Sequence, residues 1–358
     1  MARIAVLGSG LVGSFVATEL ARKHTVSLFD PDKLALERVA QHAPTVELHS
    51  ERFSSAKQLE GCDLALNCLP GSAGHTALTR IIDAGVDCVD ISFTERDPRV
   101  LDSAAREVGT TVIPDAGIAP GFSNLLAAEL AELAPQQLEI FVGGLPLRRD
   151  QPWEYAAPFS PTDVVAEYER PARLKRGGRA VTEPALSDCR PFQLGPGLVP
   201  KLPDGIALEA FLTDGLRSLL ELPIPEMVEY TLRYPGHATL FMELRDSGAL
   251  AGEARNATLA SLFEAWKLQP GESEFTHLQV LSTLDDGSQR GWLVHDNGAD
   301  GWSSMARTTG LTACAFAEQL LAGYLMGPGV LMPEACPGAL PAVREYLQSR
   351  GVTVERVA

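Results

Sequence analysis

The sequence has no CxxC pair and no cysteine–histidine cluster at metal-binding spacing, although six cysteines are present, at 62, 68, 88, 189, 314 and 336. Thiolate zinc sites are thereby excluded, and no metal is expected. Several of these cysteines lie in apolar runs, where a thiol behaves as a small hydrophobe. A reducing, cytoplasmic setting is the expectation. Basic residues are in deficit: 30 lysines and arginines face 46 acidic residues, a formal charge of −16. A surface of that sign repels phosphate backbones and argues against a nucleic-acid partner. No long apolar run is unbroken. The most apolar stretch, 311–332, contains Glu318, Gln319, Gly327 and Pro328, which suits a buried helix and a turn rather than a membrane span. The first residues enter a strand with no cleavable-signal pattern.

What is present suits a folded chain of two domains: 358 residues, 45% hydrophobic and 21% charged. Over the first third, short apolar runs recur at 4–7, 25–29, 46–48, 64–69, 88–91 and 111–113, with helix-like segments between them. Continuous runs of this length suit parallel strands buried on both faces, so a Rossmann-type doubly wound sheet is expected. Helix punctuation agrees. Asp97 followed by Pro98 reads as a cap, with Gly109 closing that helix, and Ser72 can cap a helix reaching residue 84.

On that scaffold Gly8, Ser9, Gly10, Leu11, Val12 and Gly13 form GxGxxG between a strand and a helix. The first glycine allows a tight turn, the second lets a pyrophosphate approach the backbone, and the third lets helix and strand pack closely. Asp30 ends the second strand, where a carboxylate accepts from a ribose diol and repels a 2′-phosphate; NAD is favoured over NADP. The alternative role for Asp30 is a helix cap. Other cofactor-binding candidates lie at the carboxyl ends of later strands: Asn67, Cys68, Leu69, Pro70, Asp90, Ser92 and Gly117. The stretch DAGIAPGFSN, 115–124, begins where such a sheet presents its ligands, and its small residues leave room for a cofactor ring and substrate.

DAGIAPGFSN, Phe159-Ser160-Pro161 with the later Glu167 and Tyr168, EAFLTDG at 209–215, TLRYPGH at 231–237 and SMARTTG at 304–310 together resemble the saccharopine dehydrogenase-like oxidoreductases, and among them the lysine 6-dehydrogenases. The resemblance spans nearly the whole chain. It implies an NAD(P)-dependent enzyme acting on a C–N bond at an amino acid's amine. It also implies a nucleotide domain over 1–120 completed by a returning segment, about 303–350. Thr308 and Thr309 can cap a helix in that segment, with Leu311, Cys314, Leu320, Leu321 and Tyr324 near helical spacing. The middle, 121–302, reads as a substrate and oligomerisation domain with an open mixed α+β sheet: strands at 138–142, 206–212, 230–233 and 279–283, helices at 161–169, 237–245 and 257–267, and a solvated basic loop at 173–179.

Oxidising an amine requires a neutral nitrogen, a hydride acceptor and a group that manages protons. Asp115 and His237 are the catalytic candidates, the first alternatively a brace for its own loop and the second simply a helix start. Arg233 is the candidate grip for an α-carboxylate, with Arg307 next; the alternative for Arg233 is a structural ion pair. Tyr168, Thr213 and Tyr234 are candidate polar lining, while Asp214 and Gly215 read as a turn. The leading expectation is NAD-dependent oxidation of the terminal amine of lysine to the semialdehyde or cyclic imine. Alternatives are a saccharopine- or carboxyspermidine-type reductase joining an amine to a carbonyl acid, and a non-catalytic NAD sensor. A small amino-acid substrate, no membrane and a homodimer complete the expectations.

Overall fold

Alternating apolar runs and capped helices build the first unit, and longer, partly polar strands build the second. The computed structural model describes residues 1–149, 153–199, 206–325 and 327–357. The chain divides into one unit of Met1–Glu129 with Ala306–Gly351, and another of Leu130–Met305 with Val352–Ala358.

In the first unit, β1 (Arg3–Leu7), β2 (Thr25–Phe29), β3 (Glu47–His49), β4 (Leu64–Asn67), β5 (Asp87–Asp90) and β6 (Thr111–Ile113) alternate with α1 (Leu11–Leu20), α2 (Lys33–His42), α3 (Gly71–Asp83) and α4 (Asp102–Val108). α5 (Phe122–Ala131) follows DAGIAPGFSN. All strand pairs are parallel. The order β3-β2-β1-β4-β5-β6 reverses direction between β1 and β4, and that reversal opens the crevice in which doubly wound sheets bind ligands. The expected parallel sheet is therefore found. The central strands β1 and β4 are almost wholly apolar and buried, as suits a sheet covered by helices on both faces.

The second unit holds β7 (Gln137–Pro146), α6 (Pro161–Glu169), β8 (Ala172–Arg176), β9 (Arg179–Glu183), β10 (Arg190–Gln193), β11 (Ala207–Leu212), β12 (Glu226–Arg233), α7 (His237–Asp246), α8 (Arg255–Ala265), β13 (Glu274–Thr283) and β14 (Gln289–Asp296). The chain then forms α9 (Ser304–Leu321), β15 (Gly329–Val330), α10 (Leu340–Ser349) and β16 (Thr353–Val357). β15 joins β6 in the first sheet, whereas β16 pairs β14 in the second. The second sheet runs β10-β11-β12-β7-β13-β14-β16, with β8 and β9 on a branch from β12. β12 and β7 are parallel and the other pairs antiparallel, so the sheet is mixed as expected. The helices bury an aliphatic and aromatic cluster that includes Tyr155, Tyr168, Phe211, Phe241 and Trp266.

Four local expectations are corrected. Residues 173–179 are solvent-facing as expected, with Arg173 and 176–179 exposed, but they form a hairpin rather than a loop: β8 and the start of β9 flank a turn at Gly177-Gly178, Leu174 is buried, and Arg173 grips Asp214 at 2.8 and 2.9 Å. Ser72 lies inside α3, whose N-cap is Pro70. Thr308 and Thr309 lie inside α9, which begins at Ser304. Tyr324 is beyond the end of α9 and 76% exposed. The start of α9 is moved by a distant acid: Glu274 on β13 accepts from the backbone N–H groups of Ser304 and, at 3.2 Å, of Met305. A carboxylate there meets the positive end of the helix.

Burial pushes Glu274 up to about 7, against the lowering effect of those hydrogen bonds. The folded state therefore holds this proton more tightly than the unfolded chain. The stabilising effect is full below about pH 4.5 and is lost as pH rises to about 7. Glu274→Gln keeps an acceptor and removes the titration. Its unfolding free energy should gain on the wild type by up to ~3 kcal/mol between pH 5 and 8. Denaturant titrations across that range would show it; parallel profiles would refute the assignment.

Candidate active site

The loop after β1 is shaped by three glycines in three different ways. Gly8 has φ +98°, and a Cβ on it would lie 2.8 Å from the Cys68 carbonyl oxygen at the end of β4. A Cβ on Gly13 would lie 2.0 Å from the Gly8 carbonyl oxygen, so helix and strand touch there. A Cβ on Gly10 would meet nothing within 4 Å. This is the open position at which a pyrophosphate can approach. Gly10 caps α1 without a side-chain hydrogen bond, and the first turn carries no acid. The N-terminal N–H groups of α1 and its dipole thus suit an anion. The residues present fit a dinucleotide.

Asp30 is fixed from both sides. One oxygen accepts from the Ser9 N–H at 2.7 Å and the other from the Asp32 N–H at 2.8 Å. The helix cap belongs to Asp32 instead, which accepts from Leu34 and Ala35 at 2.9 and 3.3 Å. Both carboxylates lie at the end of β2, and residues 31–33 supply no arginine.

The remaining cofactor candidates divide. Asn67 is buried and donates to the Gly74 carbonyl at 3.1 Å and to Ser92 Oγ at 3.4 Å, while its own side-chain oxygen has no partner. Ser92 donates to Asp90 through both its N–H, at 2.7 Å, and its hydroxyl, at 2.6 Å. Asn67, Asp90 and Ser92 thus shape the ends of β4 and β5. Cys68 and Leu69 are partly covered and Pro70 is exposed; burial pushes the Cys68 thiol well up, leaving it an inert, neutral group.

DAGIAPGFSN folds as a tight knot. Asp115 has φ 53°, a left-handed conformation that aspartate tolerates, and is 3% exposed. A Cβ on Gly121 would strike the Gly117 and Asp115 backbone, and one on Gly117 would come within 3.2 Å of Thr309. Asn124 closes the knot by accepting from the Gly121 N–H at 3.0 Å, and it donates to Glu334 at 2.8 Å.

In the second unit the structure brings Arg233, Tyr168 and His237 together. Arg233 is 3% exposed. Its Nε donates to the Tyr168 hydroxyl at 2.8 Å, Nη1 to the Leu232 carbonyl at 2.8 Å and Nη2 to the Tyr155 hydroxyl at 3.4 Å. The guanidinium carbon sits 4.5 Å from the centre of the Tyr155 ring. Tyr168 meets His237 Nε2 at 3.1 Å, and His237 Nδ1 meets the Trp153 carbonyl at 3.3 Å. A relay Arg233 → Tyr168 → His237 → Trp153 satisfies every atom with His237 neutral. Burial, reinforced by the Arg233 charge, holds the His237 pKa down to about 3. His237 is thus weakly basic, and it also opens α7, the alternative role expected for it. Burial pushes Tyr155 up to about 12 and Tyr168 well up, so both phenols keep their protons. Burial opposes the Arg233 charge, but the oxygens of Tyr155, Tyr168 and Glu167 more than offset it. Among the described residues no carboxylate forms an ion pair with Arg233.

The other candidates are engaged elsewhere. Tyr234 donates to the Pro146 carbonyl at 2.9 Å. Thr213 meets Thr231 at 2.9 Å, and Thr231 donates to Glu167 at 2.6 Å. Arg307, in the first unit, donates to the Arg350 carbonyl at 2.6 Å. Tyr155, Thr231, Glu167 and Glu229 were not anticipated as parts of this cluster. The signal was available: residues 229, 231 and 233 are polar at alternate positions of a strand whose every residue from Met227 on is buried.

A family model described as saccharopine dehydrogenase NADP binding domain matches residues 4–113, and one described as saccharopine dehydrogenase C-terminal domain matches 117–352. The chain belongs to the saccharopine dehydrogenase family. This is a family of oxidoreductases. The chain is 26% identical to the mitochondrial alpha-aminoadipic semialdehyde synthase of Bos taurus over 306 residues, 79% of this chain and 31% of that protein. It spans less than a third of the mammalian relatives it matches. The fold is that of the saccharopine dehydrogenase (L-Glu forming) of Saccharomyces cerevisiae, with TM-score 0.79, 20% identity and 100% of both chains covered. The homospermidine synthase of Legionella pneumophila, solved with NAD, shares it at TM-score 0.68 and 14% identity, over 99% of this chain and 91% of that one. Among the described residues no group of three or more His, Cys, Asp or Glu is placed to hold a metal, and no helix is long and apolar enough to cross a membrane.

The family's nucleotide loop yields a paired test. Gly10→Val places a side chain into open space, so the melting temperature should hold while dinucleotide affinity falls tenfold or more. Gly13→Ala forces helix and strand apart and should cost roughly 1–3 kcal/mol of stability. Thermal unfolding with and without dinucleotide separates the two. A Gly10→Val protein that binds normally would move the pyrophosphate site elsewhere.

Proposed function

We propose that the chain is an NAD-dependent amino-acid dehydrogenase that oxidises the terminal amine of lysine or a close relative. The observation that carries this reading is Arg233: a charged, buried guanidinium with no carboxylate partner, in a chain whose other unit has an open dinucleotide loop. A guanidinium in that state suits an α-carboxylate, which it can take bidentately. Bound NAD would supply the hydride acceptor; Gly8, Gly10, Gly13 and Asp30 would hold it. Oxidation removes a hydride from the carbon and a proton from the nitrogen, and water adds to the resulting imine. The substrate ammonium, with a pKa of ~10.4 in water, must first lose a proton. Asp115 is the group proposed to manage that proton, since His237 is held neutral and weakly basic.

The nucleotide model's description names NADP, but Asp30 favours NAD: its carboxylate is locked in place by two backbone N–H groups and would repel a 2′-phosphate. The relatives' names favour a second reading, the joining of an amine to a carbonyl acid. That chemistry needs a second carboxylate anchor, and Arg307 is engaged by the Arg350 carbonyl. A cytoplasmic setting suits the free cysteines. A homodimer suits the second sheet, whose edge strands β10 and β16 call for cover.

Purified protein with NAD or NADP and lysine, ornithine, saccharopine or diamines should produce reduced cofactor with NAD and lysine. Activity only with an amine plus a carbonyl acid would favour the second reading, and binding without any turnover would favour a sensor. A tenfold preference for NADP would refute the role given to Asp30.

Two variants separate the substrate roles. Asp115→Asn should lower kcat ~10²-fold with NAD affinity intact. Arg233→Lys should mainly raise the KM for substrate, because a lysine loses the bidentate fork. Full activity in Asp115→Asn would reduce the loop to a structural turn, and unchanged substrate dependence in Arg233→Lys would place the carboxylate elsewhere.

A further inference from the structure

The carboxylate whose charge acts on the Arg233 guanidinium forms no ion pair among the described residues. Glu167, on α6 beside Tyr168, is half-buried, and one oxygen accepts from the Thr231 hydroxyl at 2.6 Å. Thr231 is held in turn by Thr213 at 2.9 Å. Among the described residues Glu167 has no other hydrogen bond and no ion pair. Thr231 and Arg233 lie on one face of β12, two residues apart, roughly 7 Å along the strand. Glu167 is thus fixed beside Arg233, its charge acts on Arg233, Tyr155 and Tyr168, and yet the two ions do not pair.

Opposite charges that act on each other beside a buried guanidinium gain most by forming a salt bridge. Here Arg233 is held back by two tyrosine hydroxyls and its own backbone, and Glu167 by Thr231. A second acid, Glu229, lies on the same face of β12 as Thr231. Glu229 is 5% exposed, its Oε2 has no partner, and a Cβ on Gly215 would collide with it. Burial and then the charges of Glu167 and Asp214 push its carboxyl well up, with Arg217 opposing.

We propose that Glu167 binds the α-ammonium group of the substrate whose α-carboxylate Arg233 binds, so that the pair selects an α-amino acid over a simple amine or a simple acid. This rests on the carboxylate-anchoring role proposed for Arg233. Thr231, which holds Glu167, lies roughly 7 Å along β12 from Arg233, a spacing on the scale of an ammonium and a carboxylate on one carbon with a hydrogen bond at each end. The distal amine of the substrate is left free to react. Thr231 is a positioning residue, because it fixes the Glu167 oxygen without reaching the ligand.

The test uses the full chain, three ligands and calorimetric binding in the presence of NADH, which cannot accept a hydride, so that no turnover occurs. Lysine carries both groups, 6-aminohexanoate lacks the α-ammonium, and cadaverine lacks the carboxylate. Wild type should prefer lysine to both analogues. Glu167→Gln should lose the preference for lysine over 6-aminohexanoate by about 10- to 100-fold and keep the preference over cadaverine. Arg233→Lys should do the reverse. Glu167→Asp, which retains the charge, should retain part of the lysine preference and guards against a folding defect in the first variant. If Glu167→Gln weakens lysine and 6-aminohexanoate equally, Glu167 holds the distal amine or only shapes the fold, and the inference fails while the Arg233 reading stands. If wild type binds lysine no better than cadaverine, the Arg233 reading fails. If wild type binds none of the three, both fail.

Discussion

A guanidinium charge buried without a carboxylate partner is the constraint around which the second unit is arranged. Taking such a charge out of water costs several kcal/mol unless neighbouring groups solvate it. The structure supplies those groups without cancelling the charge: two phenol oxygens, one backbone carbonyl and an aromatic ring face. Each choice constrains the next residue outward. Tyr168 must accept from Arg233, so its proton goes to His237; His237 must then accept at Nε2 and donate at Nδ1, which the Trp153 carbonyl receives. The Arg233 charge also discourages a second proton on His237. A histidine that looks catalytic by type is thereby committed to orienting a tyrosine.

The first unit works through backbone rather than through charge. Its binding loop offers N–H groups and an unfilled space at Gly10, and its side chains act mainly to hold that backbone still. Asp30 ties Ser9 to the turn after β2, while Asn67, Asp90 and Ser92 tie the ends of β4 and β5 together. This explains why residues chosen as cofactor contacts from their position at strand ends prove to be bonded to one another. The carboxyl ends of parallel strands must be stiff if the crevice between β1 and β4 is to keep its shape, and short polar side chains stiffen them over two or three residues.

How much of this was legible in the sequence depended on distance along the chain. The six parallel strands and the glycine loop were readable because their signals are local: a run of apolar residues buried on both faces, and a turn whose glycines, strand and helix are contiguous. The cap of α9 was not, since Glu274 lies thirty residues upstream on another strand, and nearby threonines offered a plausible local substitute. β8, β9, β10 and β16 were missed because many of their residues are polar or charged and face solvent. In Ala172–Arg176 the alternation of buried Ala172 and Leu174 with exposed Arg173 was a period-two signal that the basic composition obscured. The same period marks residues 229, 231 and 233. Individual members of the Arg233 cluster were identifiable by type, but the absence of a counter-ion is a property of the folded arrangement, which no single position displays.

That polar row on β12 is hard to explain by stability. The residues between its members, Val228, Tyr230 and Leu232, are buried and mostly apolar, so the strand does not need Glu229, Thr231 and Arg233 in order to pair or to pack. Replacing buried ions by apolar residues of similar volume is often neutral or stabilising. Here the cost is compounded, because the ions are kept from pairing and Glu229 is left with its carboxyl pushed well up and one oxygen unpartnered. An arrangement that holds a cation and an anion apart lowers the stability of the empty protein and raises the affinity for a molecule with both charges. Such a molecule recovers the Coulomb energy that the separated residues forgo. Preorganisation then favours ligands whose charges sit at the fixed spacing, and a ligand with only one of the two charges leaves the other residue uncompensated. The discrimination comes from the unfilled pairing as much as from the contacts made.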